Sequence, residues 1–269
     1  MKKRLNPYIE YQDAENYTWS VAFVTNARAT RGGFSENIML TESLSYVRNS
    51  DDWLKNVLIG GVLSLLGFLI IPTFLVLGYL LRVVRSSMRG EERPPAFDEW
   101  GEMLVDGLKG FAIALAYSLV PLLLAIVFAV LTGVTANGGD IGVVSGLFGL
   151  VGALLVFVTS LAVAYALPAG LASYAETDRM GSAFDTGMLR STLTSGTYAT
   201  AWVTAFVVFL GAGIVAGALN VVPLLGTVVG VFVSFYAAVA GYHIIGRAWG
   251  EMHPVEMRDG EMPDERAAI

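Results

Sequence analysis

Residues 191–246 read STLTSGTYATAWVTAFVVFLGAGIVAGALNVVPLLGTVVGVFVSFYAAVAGYHIIG, without one Asp, Glu, Lys or Arg. A charge-free run of this length is more than twice the roughly 20 apolar residues with which an α-helix crosses a bilayer core. It reads as two membrane spans, and Gly217-Ala218-Leu219-Asn220, followed by Pro223, is where the chain turns between them. Three more windows lack charge: Asn56 to Leu81, Gly110 to Gly139 and Ile141 to Ala175. Together they predict an all-α, polytopic transmembrane bundle with helices near 110–132, 143–167, 197–217 and 222–246.

The composition agrees. The chain of 269 residues is 55% hydrophobic and only 15% charged, and its mean hydropathy is +0.61. An ordinary soluble domain carries about 25% charged residues. A net charge of -6 excludes nucleic acid as a partner, because counterion release needs a concentrated basic surface. The chain has no cysteine, which removes disulfides, thiol nucleophiles and thiolate metal sites together. The opening MKKRLNPYIEY has no apolar segment behind its basic residues and is not read as a signal peptide.

The first window is ambiguous, because Pro72 divides it. It is either one kinked span or a short hairpin from about Trp53 to Ile70 and Pro72 to Arg89. Charge favours the hairpin. Loops kept in the cytoplasm carry an excess of Lys and Arg, and the turns Thr132 to Asp140 and Gly217 to Pro223 carry neither. Arg82 to Lys109, Glu176 to Arg190 and the tail from Arg247 hold ten of the seventeen basic residues. A hairpin puts every basic residue, and both termini, on the cytoplasmic side of the cell membrane. Trp53, Trp100, Trp202 and Trp249 then all fall at that interface, where Trp is favoured. The organisation expected is a polar extension over 1–38, disordered or untranslated, a helical membrane domain over 39–250, and a polar cytoplasmic tail over 251–269. Thr41 is the expected N-cap of a helix after Met39.

The spans carry no Asp, Glu, Lys or Arg, with His243 near the end of the last span and His253 in the polar tail, so the acidic or basic relay used by many ion-coupled carriers is missing. Tyr117, Ser118, Thr159, Ser160, Tyr165, Thr204 and Tyr236 are the hydroxyls that a polar path would use; otherwise they bond to backbone. Small residues at four-residue spacing mark helix-packing ridges: Gly142 with Gly146, Gly213 with Gly217, and Gly226, Gly230, Ser234 and Ala238. Arg82, Arg85 and Arg89 share a helix face at the membrane edge and suit anionic lipid headgroups. Asp98, Glu102 and Asp106 form a facing acidic stripe, which solvates, pairs with the arginines or holds a divalent cation. Phe97 is placed for a hydrophobic staple. SAFDTGMLRSTL reads as an interfacial helix capped by Ser182, with Phe184, Met188, Leu189 and Leu193 toward lipid. His243 and His253 read as interfacial or solvated. No phosphate loop, nucleophile elbow, triad or metal motif is present, so no catalytic, cofactor or metal residue is assigned.

The stretches ESLSYVRNSDDWLK, GYLLRVVRSSMRGEERPPAFDEWGEMLVDGLKGF and AFDTGMLRSTLTSGTYATAW, within Met39 to about Gly250, carry a resemblance. The chain resembles an uncharacterised haloarchaeal family of multi-pass membrane proteins, a domain of unknown function. It is distantly similar to membrane domains found beside glycerophosphodiester phosphodiesterases. The resemblance implies no activity and no site residues. The expected function is a non-catalytic membrane module that organises lipid or a membrane partner protein. The alternatives are a transporter or channel for a small uncharged solute and, third, a membrane-embedded enzyme.

Overall fold

The computed structural model describes residues 36–50, 52–136 and 142–253. The helices are α1 (Glu36–Tyr46), α2 (Trp53–Leu65), α3 (Ile70–Met88), α4 (Trp100–Thr135), α5 (Val143–Thr177), α6 (Thr186–Leu193), α7 (Gly196–Leu219) and α8 (Pro223–Met252). A 3-10 turn, Met180–Phe184, precedes α6. No strand occurs among the described residues. Five helices, α3, α4, α5, α7 and α8, are long and apolar enough to cross a membrane. The chain is an all-α, multi-pass membrane protein.

Contacts divide the chain into Met1–Thr41 and Glu42–Ile269. Of the first unit only the opening of α1 is described, and the expectations for 1–35 and for the tail from 254 lie outside the described residues. Thr41 lies inside α1 instead of capping it. The spanning helices also outrun the charge-free windows: α4 begins ten residues before Gly110, α5 runs through Pro168 to Thr177, and α8 continues to Met252. Loss of apolar character marks the edge of lipid. It does not stop hydrogen bonding within the helix, so charged turns extend each rod into the polar layer.

The first window is a hairpin. The break falls at Leu66–Leu69, earlier than Ile70-Ile71-Pro72-Thr73, and Gly67 supplies the turn. Pro72 lies in the first turn of α3, where its missing N–H costs no intrahelical bond. The Thr73 hydroxyl donates to the Gly67 carbonyl at 2.9 Å and closes the reversal. At 13 residues α2 is about 20 Å long, short of a crossing, whereas α3 at 19 residues reaches the necessary length.

Backbone contact at glycine builds the bundle. A Cβ added to Gly78 would stand 1.9 Å from the Met103 carbonyl oxygen, and one on Gly107 would stand 1.8 Å from that of Phe74. Helices α3 and α4 therefore touch backbone to backbone. Gly246 and Gly250 meet Val84 and Met88 in the same way, seating α8 on α3. Gly60 and Gly61 receive the rings of Phe235 and Phe232.

Several expected ridge residues lie elsewhere. Gly213 and Gly217 have open space where a Cβ would stand, because α7 turns the neighbouring Ala212 and Ala216 inward, one residue and so about 100° round the helix. Gly142 is likewise open and Gly146 exposed; the inward face of α5 carries Ser145, Gly149 and Gly152, with Phe128 over Gly152. Gly226 and Gly230 do face α7, against Leu219 and Ala216, but Ser234 beyond them is exposed and Ala238 half-buried. Replacement of Gly107 by Ala should lower stability in detergent by about 1–3 kcal/mol, since the backbones must part. The same change at Gly213 should leave the unfolding temperature unchanged.

Candidate functional site

The polar groups gather at one end of the bundle. There the end of α1, the start of α2, the end of α3, the 89–99 connection, the ends of α5 and α8 and the start of α7 come together. Four side chains hold the connection by its backbone. Asn49 donates to the Glu92 carbonyl at 3.2 Å, Tyr46 to that of Arg93 at 3.3 Å, and Asn56 and Tyr79 to that of Pro95 at 3.4 and 3.2 Å. The proline pair at 94–95 offers carbonyls without N–H groups of its own, so outside donors satisfy it. Phe97 stacks on Tyr79 with ring centroids 3.9 Å apart, where a staple within α4 was expected.

At the centre is Arg85. Its guanidinium pairs with Asp106 of α4 and with Asp178, which follows α5 in the left-handed conformation (φ 54°). Its Nε donates to the Ala175 carbonyl at 3.0 Å, so one cation caps the C-terminal end of α5, where the helix dipole favours positive charge. Tyr174 donates to the other oxygen of Asp106 at 3.1 Å and turns its ring toward Arg85. With side chains 18% and 15% exposed, Arg85 and Asp106 form a shielded pair. One turn back, Arg82 pairs with Asp98 at 2.7 Å and Glu99 at 3.1 Å, and it also donates to both their carbonyls.

The expected lipid-facing collar is therefore spent inside the protein. Arg82 and Arg85 are matched by carboxylates of the acidic stripe, and Arg89 pairs with Glu91 on the surface. The reason is geometric: the 89–99 connection folds α4 back against α3, so the two stripes face each other. Asp98, Glu102 and Asp106 point to arginines, and no group of three or more His, Asp or Glu suited to a metal forms among the described residues.

The histidine and tryptophan expectations need correction. His243 is buried, stacked on Tyr46 at 3.8 Å and hydrogen-bonded through Nδ1 to Ser87 at 2.7 Å. Burial pushes the Tyr46 phenol above its ordinary range, which keeps it a donor. Trp249 is buried and donates to Glu176 at 3.0 Å, whereas an interfacial position was expected; His253 stacks on it. In the α6 segment Asp185, not Ser182, is the N-cap, accepting from Gly187 and Met188. Leu189 and Thr192 turn inward, and Phe184 stacks on Tyr117. Sequence spacing alone did not show that α6 packs on its neighbours.

Six of the seven hydroxyls suggested for a polar path are bonded to carbonyls. Ser118, Thr159 and Thr204 donate one turn back; Tyr117, Tyr165 and Tyr236 donate to Ala183, Leu193 and Leu44. Ser160 is exposed. Between α5, α7 and α8 a cleft of about 220 Å3 is lined by Pro168, Trp202, Phe206, Phe209 and Tyr242, among others, and is almost wholly apolar.

Residues 65–221, more than half the chain, match the family described as "Protein of unknown function (DUF4013)". The chain belongs to this DUF4013 family. The match lies within the Met39 to Gly250 stretch and leaves α1, most of α2 and all of α8 outside it. No curated protein and no solved structure matches. Among the described residues no buried side-chain nitrogen or oxygen lacks a hydrogen-bond partner. Replacing Arg85 by Met should cost on the order of 3 kcal/mol in thermal unfolding, because Asp106 is left shielded and unpaired. Arg85→Met combined with Asp106→Leu should recover much of that loss, and Arg89→Ala should change stability by less than about 0.5 kcal/mol.

Proposed function

We propose that this DUF4013 protein is a non-catalytic membrane module that organises surrounding lipid or holds a membrane partner. The observation that carries the reading is the division of the molecule into a self-satisfied polar end and apolar arms. Charged groups such as Arg82 and Arg85 are matched within the chain, and hydroxyls inside the spans are bonded to carbonyls. The outer faces of α4, α5 and α7 present large apolar side chains, among them Leu123, Val134, Leu150, Phe157 and Ile214. Such surfaces interact with acyl chains or with another membrane helix. A transporter for an uncharged solute would need polar groups turned toward a path, and the cleft beside Trp202 offers nearly none. The likeness to membrane domains beside glycerophosphodiester phosphodiesterases, and to a haloarchaeal family, fits a lipid-facing companion module. The polar end is assigned to the cytoplasmic face of the cell membrane, because the outer turns lack Lys and Arg.

Purification in native lipid nanodiscs should recover a defined lipid class or one membrane protein in fixed ratio to the chain. Recovery of bulk lipid alone, together with saturable uptake of a neutral solute by vesicles containing the protein, would replace the reading with transport. Orientation is checked separately. In intact cells an impermeant thiol reagent should label Asn220→Cys and not Ser182→Cys, and the reverse pattern would invert the assignment.

A further inference from the structure

The α2–α3 hairpin leaves the polar end and returns to it, and its depth follows from two independent registers. On one side Gly78 and Gly107 meet where α3 crosses α4, with Gly110 against Leu77 and Leu81. That crossing lies beside the charged Asp106, and from Gly78 to Ile70 is eight residues, about 12 Å of α3. On the other side Gly246 lies against Val84 and Gly250 against Met88, so α3 and α8 run parallel with Ile70 level with Phe232. Phe232 is also the ring that covers Gly61 of α2, six residues before the turn at Gly67. From Phe232 to Pro223, where α8 begins, is nine residues, about 14 Å. The tip thus stands about 12 Å from one edge and 14 Å from the other of an apolar layer roughly 30 Å thick.

What the tip carries suits that depth. Phe68 is 79% exposed, Ile70 70% and Ile71 62%, and Leu69 is half exposed. No charged residue occurs from Asn56 to Leu81. Within the turn the N–H groups of Leu66, Gly67 and Leu69 donate to the Val62, Ser64 and Leu66 carbonyls. At its base the hairpin is tied to the 89–99 connection through Asn56 and Tyr79.

We propose that the α2–α3 hairpin is re-entrant: a wedge occupying one leaflet, its Phe68–Ile71 tip docked among acyl-chain ends at the bilayer midplane. Helix α3 has the length to cross but is not a span. The wedge enlarges one leaflet and not the other, which gives a lipid-organising module its means of acting on lipid. The claim rests on insertion of the bundle and not on that role, so either can fail alone.

The chain contains no cysteine, so Phe68→Cys in the full-length protein carries a single nitroxide label. In phospholipid vesicles this label should collide readily with dissolved oxygen and be shielded from a water-soluble nickel chelate. Its oxygen-to-nickel collision ratio should exceed several-fold that of a label at Leu54→Cys, near the base, and at Val221→Cys, in the outer turn. Nickel access at position 68 equal to that at 54 or 221 places the tip at a surface and overturns the proposal. Shielding from both reagents puts a second copy of the chain over the tip and overturns it too.

Discussion

The ion pair between Arg85 and Asp106 is the constraint on which the rest of the bundle depends. A guanidinium at the edge of lipid is stable only when matched, and here matching draws together three helices: α3 carries the cation, α4 the carboxylate, and α5 ends on it through Ala175 and Asp178. The glycine seams follow from the same demand. For Arg85 to meet Asp106, α3 and α4 must approach until their backbones touch, and Gly78 and Gly107 permit this. Once α3 is fixed, Gly246 and Gly250 seat α8 on it, and Trp249 reaches Glu176 to close the ring.

Much of this architecture was legible in the sequence, because lipid imposes a rule that can be counted. Backbone polar groups in an apolar solvent force helix, and absence of charge over 20 or more residues reveals where that solvent lies. The hairpin followed from where Lys and Arg are missing, and the facing of the arginine and carboxylate stripes stood among the alternatives. The site itself was only partly visible. Asp178 lies far from Arg85 in sequence and becomes its partner through the left-handed turn after α5.

The glycines show why the rest was hidden. Spacing finds residues that share a face but not which face is inward: Gly213 and Gly217 share one, while α7 turns the half-buried Ala212 and Ala216 beside them inward. Gly107 and the Gly246–Gly250 pair fall at or beyond the edges of the charge-free windows, in GLKG and GRAWG, where neighbouring charges mask the pattern of a membrane-packing face. They matter because α3 meets both α4 and α8 through backbone contacts at the charged end. Deeper in the membrane, helices gain little by hiding Leu from chains as apolar as Leu, so the pressure to pack falls.

That gradient explains the long arms. From Gly110 to Thr135 is 26 residues, about 39 Å, against roughly 30 Å of hydrocarbon. A helix too long for its layer tilts, and its neighbours set the direction. For α4 the outer half touches α5, with Phe128 closed over Gly152, and is otherwise apolar surface. The neighbours that set its direction are therefore those at the base, where Gly107 meets Phe74 and Asp106 meets Arg85. A small rearrangement of the Arg85 ion pairs would be multiplied along the α4–α5 pair into a larger displacement among the lipids, so the polar end is where the arms are aimed.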